Sequence, residues 1–448
     1  MRLPLMALSF GLAAATPLYA DDVTTFALKN GLELVVIEDH RAPVVTQMVW
    51  YRIGAADEAP GHSGIAHFFE HLMFQGTDNL APGEFSATVE AQGGNDNAFT
   101  SWDYTAYFQR VASDRLGLMM QMEADRMRNL TLSEDDVSTE RQVIVEERGQ
   151  RTDSDPGALL NEQMAAAQYM NHPYGRPVIG WLHEIKALTR EDALAFYKAN
   201  YAPNNAIVVV AGDVTPEQAL KLAETHYGPL EPSSDILPRT RPVEPPQLAE
   251  RRIVLEDGRV SEPYVIRSYL AAERNPGDQR KAAALTLLAE LLGGNPTTSV
   301  FARELQFKRG VATWSAAFYD GTSVDPDTFG VYVMPVPGVA LADAEAALDE
   351  VIAGFLKDGV NAEELARIKT QVRASTIYGR DNAEGLANMY GQALAVGLTV
   401  KDVQDWPDIL QSVTAKEIMA AATEVFDRKR AVTGWLQAPA AEQKDAKE

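Results

Sequence analysis

The sequence predicts an α+β protein of two homologous domains, each a mainly antiparallel sheet packed with helices. Three observations support this. Strand and helix signals run through one order before residue 228 and a similar order after residue 250. Between them Pro229, Pro232, Pro238, Pro242, Pro245 and Pro246 give a segment without periodicity the composition of a semi-rigid linker. Short apolar runs joined by turn residues mark hairpins rather than crossover units. The expected boundaries are 1–20 for a leader, 21–228 and 251–438 for the domains, 229–250 for the linker and 439–448 for a charged tail.

In the first domain, Thr24 to Leu28 and Leu32 to Ile37 flank Asn30-Gly31, a hairpin signal. A third strand, Val44 to Ile53, leads into a short helix after Gly64, and a second helix runs from Pro82 to Ala91 before Gly93-Gly94. Asn97 to Ser101 and Thr105 to Val111 read as paired strands. Two long helices are expected from Ser113 and Ser133, each serine serving as N-cap. Residues 156–201 read as helix interrupted at His172-Pro173-Tyr174-Gly175 and Pro177, and Ala206 to Ala211 as a last strand. Thr215, Pro216 and Gln218 then form a capping-box start.

The second domain repeats the pattern. Strands at Arg252 to Leu255 and Tyr264 to Leu270 precede an apolar helix from Arg280 to Leu292 and another through Arg303. Strands at Val311 to Tyr319 and Phe329 to Met334 follow, then long helices, one opening at Asn361 with Glu364 in the capping position. Ala431 to Leu436 closes as a strand. Laying FFEHLM (68–73) over LLAELL (287–292) puts Thr286, Ala289 and Glu290 where the first domain has His67, Glu70 and His71, so the copy carries no metal-binding set.

Residues 1–20, with Arg2, an apolar run and a small-residue ending at Ala20, read as a secretory leader cleaved after that residue. With no cysteine in the chain, stability after export cannot come from disulfides. No later apolar stretch is long enough to span a bilayer, so stable membrane insertion is not expected. The formal charge of −23 argues against nucleic acid as a partner, because phosphate binding needs a basic surface. A periplasmic or secreted protein is the simplest address.

The chemistry concentrates in GHSGIAHFFEHLMFQGT, residues 61–77. On a helix His67 and His71 are one turn apart on one face, with Glu70 beside them. Two imidazoles projecting together suit Zn²⁺, and a carboxylate that is not a ligand can deprotonate a metal-activated water. The order His-x-x-Glu-His is that of inverted zinc peptidases. A solvated polar face is the bland alternative. It is disfavoured because Ile65, Phe68, Phe69, Leu72, Met73 and Phe74 make the helix apolar nearly all round, and buried polar groups need partners. The chain has seven histidines, and the other five form no second cluster. A third ligand is expected from the helix after Ser133. Glu140 and Glu147 share a face and Glu146 is rotated from it by ~100°, but spacing does not choose among the three.

Together with GGNDNAFTSWDYTAYF (93–108), ERQVIVEERGQRTDSDP (140–156), HPYGRPVIG (172–180) and YAPNNAIVVVAGD (201–213), this stretch resembles the pitrilysin/insulinase family of zinc peptidases. The likeness is to its short members, typified by the β subunit of the mitochondrial processing peptidase and its bacterial relatives. It covers nearly the whole chain after residue 20, with specific motifs in the first half and architecture alone in the second. The resemblance implies one Zn²⁺ per chain held by His67, His71 and Glu147, Glu70 as general base, and Glu140 as a second acidic residue tuning the site. It implies an endopeptidase whose two domains enclose a chamber, acting on peptides laid along an edge strand at Asn97, Ala98 and Phe99.

One segment departs from the family pattern. Self-sufficient members carry an arginine and, seven residues on, a tyrosine in the second half. Here RELQFKRGVAT (303–313) puts Gln306 and Thr313 at those positions, with Arg303 and Arg309 out of register. The expectation is therefore a homologous companion subunit supplying the missing pair, with this chain as the zinc-bearing half of a heterodimer. The competing class, a non-catalytic peptide-binding or structural subunit, is disfavoured because every position of the metal motif is filled.

Overall fold

A computed structural model describes residues 23–379 and 381–439. The leader expected at 1–20 lies outside them, as does the tail beyond Pro439. The first sheet contains β1 (Val23–Ala27), β2 (Glu33–Glu38), β3 (Val44–Tyr51), β4 (Asn95–Thr100), β5 (Thr105–Ala112) and β6 (Ala206–Gly212), ordered β1-β2-β6-β3-β5-β4. The second contains β7 (Arg251–Glu256), β8 (Tyr264–Ala271), β9 (Ala312–Tyr319), β10 (Asp327–Pro335) and β11 (Ala431–Gln437), ordered β7-β11-β8-β10-β9. The second order repeats the first without β1. Each sheet has one parallel pair, β2 with β6 and β7 with β11, and is otherwise antiparallel. The Asn30-Gly31 turn closes β1 onto β2, Gly31 taking a φ of +90° that a side chain would resist.

The inner face of the first sheet buries Leu34, Val36, Val45, Val49, Tyr107, Val208 and Val210 against the helix Ile65–Leu72, through Phe68, Phe69 and Leu72. Its other face is covered by a helix from far along the chain. In Ala383–Ala395, Leu386, Tyr390 and Leu394 pack on Val35, Ile37, Met48, Trp50 and Val209. Gly391 permits this approach, because a Cβ there would collide with the Trp50 indole. The exchange is reciprocal. The helix Pro156–Gln168 sets Leu160 and Met164 against Val432 and Leu436 of β11. Fully burying each such side chain contributes ~1.5–3 kcal/mol.

The segment joining the two sheets is extended, and its arginines tie it down. Arg241 pairs with Asp57 at 2.8 Å, Asp103 at 2.5 Å and Asp325 at 3.0 Å, and Arg239 pairs with Asp57 at 2.8 Å.

Most expected helix starts hold: Ser133, Thr215 and Asn361 all accept backbone N–H bonds from their first turns. Ser113 does not. Its hydroxyl donates to Asp213 at 3.1 Å, a single 3₁₀ turn follows, and the helix begins at Leu116. Glu364 pairs with Arg303 at 2.8 Å instead of reaching back to its cap. The helix expected to run unbroken from Arg280 to Leu292 is α only to Ala289, then widens to a π turn over Glu290–Gly294. There Gly293 lies against the backbone of Ala316 and Ala317 in β9.

Candidate metal centre

The histidine helix starts where the chain is pinned. Gly64 takes a φ of +89°, and a Cβ on it would meet the Ile179 carbonyl at 2.5 Å. The carboxylate of buried Glu58 accepts the N–H groups of Gly64 at 3.0 Å and Ala66 at 2.9 Å, satisfying donors the first turn leaves open. Ile65, Phe68, Phe69 and Leu72 then turn into the core, which leaves His67 and His71 facing the helix Glu134–Arg148.

Three side chains from these two helices converge. His67 Nε2 lies 3.6 Å and His71 Nε2 3.4 Å from Glu147 Oε2. One ligand atom from each lies within 4.8 Å of both others, the single such set of three among the described residues. Glu147 Oε2 is buried with no hydrogen-bond partner among those residues, although two imidazole nitrogens face it. Two ligands ~2.1 Å from one tetrahedral ion sit roughly 3.4 Å apart, so these separations fit a zinc ion. The donor set, two imidazoles and a carboxylate, is one that catalytic zinc takes.

Of the glutamates that spacing left open, Glu147 joins the histidines. Glu140 is two turns back on the same face and lies 2.9 Å from His71 Nδ1, with Gln75 donating to its other oxygen at 3.3 Å. A bond at Nδ1 leaves His71 Nε2 to face Glu147. Glu146 is turned away and accepts from Gln142. His67 Nδ1 is buried without a partner among the described residues.

The charges follow from this packing. Burial and neighbouring His71 lower the affinity of His67 for a proton. Burial also acts to lower His71, but the carboxylates of Glu140 and Glu147 outweigh it and push its pKa to about 9. The His71 imidazole beside it holds the Glu147 carboxyl below its ordinary value. Burial raises Glu70, against a hydrogen bond from Thr100.

Glu70 is buried beside the three converging side chains and is not one of them. Thr100 Oγ1 donates to its Oε2 at 2.6 Å. Asn97, Ala98 and Phe99 lie on β4, the free edge of the first sheet, where Asn97 Oδ1 accepts the N–H of Ala98 at 2.9 Å. Thr100 escaped the sequence reading, though the alternation in NDNAFT held the signal: Ala98 packs into the core, and Thr100 two residues on must share its face. Arg151 was also missed. It sits one turn after Glu147 and pairs with its Oε1 at 2.8 Å.

Comparison with known proteins bears on this arrangement. The model of Insulinase (Peptidase family M16) matches residues 34–181, and that of the Peptidase M16 inactive domain matches residues 187–372. The chain belongs to the M16 peptidase family. It is 31% identical over 415 residues to the zinc protease PqqE of Helicobacter pylori, covering 92% of this chain and 91% of that protein. It is 26% identical over 432 residues to the probable mitochondrial-processing peptidase subunit beta of Schizosaccharomyces pombe, covering 94% and 92%. A crystal structure of a protease from Helicobacter pylori superposes with a TM-score of 0.87 at 29% identity, over 94% of this chain and all of that one. The first half of the periplasmic protease PqqL of Escherichia coli shares the fold, with a TM-score of 0.79 at 20% identity over 93% of this chain and 92% of that one. No helix among the described residues is long and apolar enough to cross a membrane.

Proposed function

We propose that this M16 chain is a zinc-dependent endopeptidase that cleaves extended peptides, its residues 21–228 forming the zinc-binding domain and 251–438 a homologous domain without a metal site. The observation that carries the reading is the buried, unpartnered Oε2 of Glu147 facing the Nε2 atoms of His67 and His71. A bound zinc would polarise the scissile carbonyl and acidify the attacking water.

The remaining steps fall to this chain's own groups. Glu70 takes a proton from the attacking water at its carboxylate and returns it to the leaving amine; burial raises its basicity toward that task. The free edge of β4 offers main-chain donors and acceptors to a peptide strand, which aligns the scissile bond without demanding a particular sequence. An incoming strand takes over the Ala98 N–H that Asn97 now covers.

The second domain supports a companion subunit. Gln306 donates to Ser315 at 2.9 Å and Thr313 to the Met334 carbonyl at 3.3 Å, so neither position presents a cation or a phenol. The flanking Arg303 and Arg309 are paired with Glu364 and Glu350. Purified alone, the chain is expected to bind one zinc and hydrolyse peptides slowly. A homologous subunit carrying the arginine and tyrosine restores full rate. Export to the periplasm or beyond belongs to the same reading and rests on residues 1–20.

Glu70→Gln tests the core of it. Metal content by atomic emission should stay at one per chain while cleavage of a quenched peptide by the assembled enzyme falls at least ~10²-fold. Hydrolysis at the parent rate would overturn the assignment.

A further inference from the structure

Glu70 is held from one side. Its Oε2 accepts the Thr100 hydroxyl at 2.6 Å, and its Oε1 has no hydrogen-bond partner among the described residues. The strand register explains why the threonine is there. In β4 the side chains alternate: Ala98 packs toward the histidine helix, Phe99 toward Trp50 and Tyr104 on the opposite face, and Thr100 returns to the helix side.

Thr100 sits opposite Thr105 of β5, and the Thr105 hydroxyl is 3.1 Å from the Ile53 carbonyl. With its hydrogen committed to that carbonyl, Thr105 meets Thr100 only as an acceptor, at 3.4 Å. The single Thr100 hydrogen therefore goes to the nearer, anionic acceptor, which makes the stronger bond. One carboxylate oxygen is fixed and the other left open, the arrangement a base needs to meet a water in one orientation.

We propose that Thr100 is a positioning residue for Glu70, and that its place on the edge strand ties the orientation of the base to the strand that receives the peptide. This rests on the peptidase reading of the site. Displacing β4 displaces Thr100, and the carboxyl of Glu70 follows. A peptide that pairs with β4 sets the base at the moment it presents its scissile bond.

The test compares wild type, Thr100→Val and Thr100→Ser as full chains purified from the producing organism, so that any companion subunit is retained. Valine keeps the shape and removes the donor; serine keeps the donor. Crystal structures of the metal-loaded proteins should show the Glu70 carboxyl turned from its place in Thr100→Val and restored in Thr100→Ser. With metal content unchanged, kcat should drop ~10- to 100-fold in the valine variant with KM within about twofold, and recover to within about threefold in the serine variant. An unmoved Glu70 carboxyl, a parental kcat in Thr100→Val, or a serine variant as impaired as the valine one overturns the proposal. Failure of the peptidase reading is seen separately, as equal hydrolysis by wild type and Glu70→Gln, and the crystallographic comparison needs no turnover.

Discussion

His71 Nδ1 lies 2.9 Å from Oε1 of Glu140, on the side of the imidazole opposite Glu147. Two glutamates on one helix face thus bracket one ring, each at a different nitrogen. Removing the outer one frees the ring to rotate and to change tautomer. Glu140→Ala is expected to weaken zinc binding ~10- to 100-fold, as competition with a chromophoric chelator would show. Unchanged affinity would mean that Glu140 does not orient the ring.

The second domain should carry an acid-labile element. Arg267 is fully buried and bonds Glu345 at 2.5 Å, while Arg252 and Trp435 reach the other oxygen of Glu345, each at 2.7 Å. Burial would raise the Glu345 carboxyl, but Arg252 and Arg267 outweigh it and bring its pKa down to about 2. A carboxylate depressed on folding contributes stability above its unfolded value, and that contribution is lost as pH falls from about 4.5 to about 2. Chemical denaturation at several pH values should show this slope, and Glu345→Gln should flatten it while costing roughly 3 kcal/mol at neutral pH.

Gly391→Ala places a methyl against the Trp50 indole across the seam between the Ala383–Ala395 helix and the first sheet. Overpacking of this kind costs ~1–3 kcal/mol. The melting temperature should fall while metal content stays at one per chain, because Trp50 points to the sheet face opposite the histidine helix.

Arg241 is the hub of the linker clasp, and Asp57 and Asp103 are nearly buried around it. Arg241→Ala removes a buried cation that both share, leaving Asp57 with Arg239 and Asp103 with the Tyr174 hydroxyl, and should destabilise the chain by about 3 kcal/mol, measured by urea unfolding. The same variant should become more sensitive to limited proteolysis within residues 229–250.

How much of this was legible in the sequence depended on distance along the chain. His67, Glu70 and His71 were readable because one helical turn places them together without help from the rest of the fold. The repeat of strand order was readable for the same reason: hairpin turns and caps are local. Glu147 could not be chosen over Glu140 by spacing, since both share a face and the distinction is which imidazole nitrogen each meets. Thr100 needed the β4 register as well as the position of the helix. Ser113 shows the opposite failure, a local signal overridden when Asp213 offered its hydroxyl a tertiary partner.

The swapped helices bear on how such a chain comes to be made. A ribosome delivers residues 1–212, and with them every strand of the first sheet, well before Ala383–Ala395 emerges to cover the apolar back of that sheet. Until then the nascent protein has an unsatisfied surface that invites chaperones, and a prematurely terminated product would remain sticky. Each half lends the other a cover for an apolar sheet face, so the two are joined by shared burial as well as by the linker.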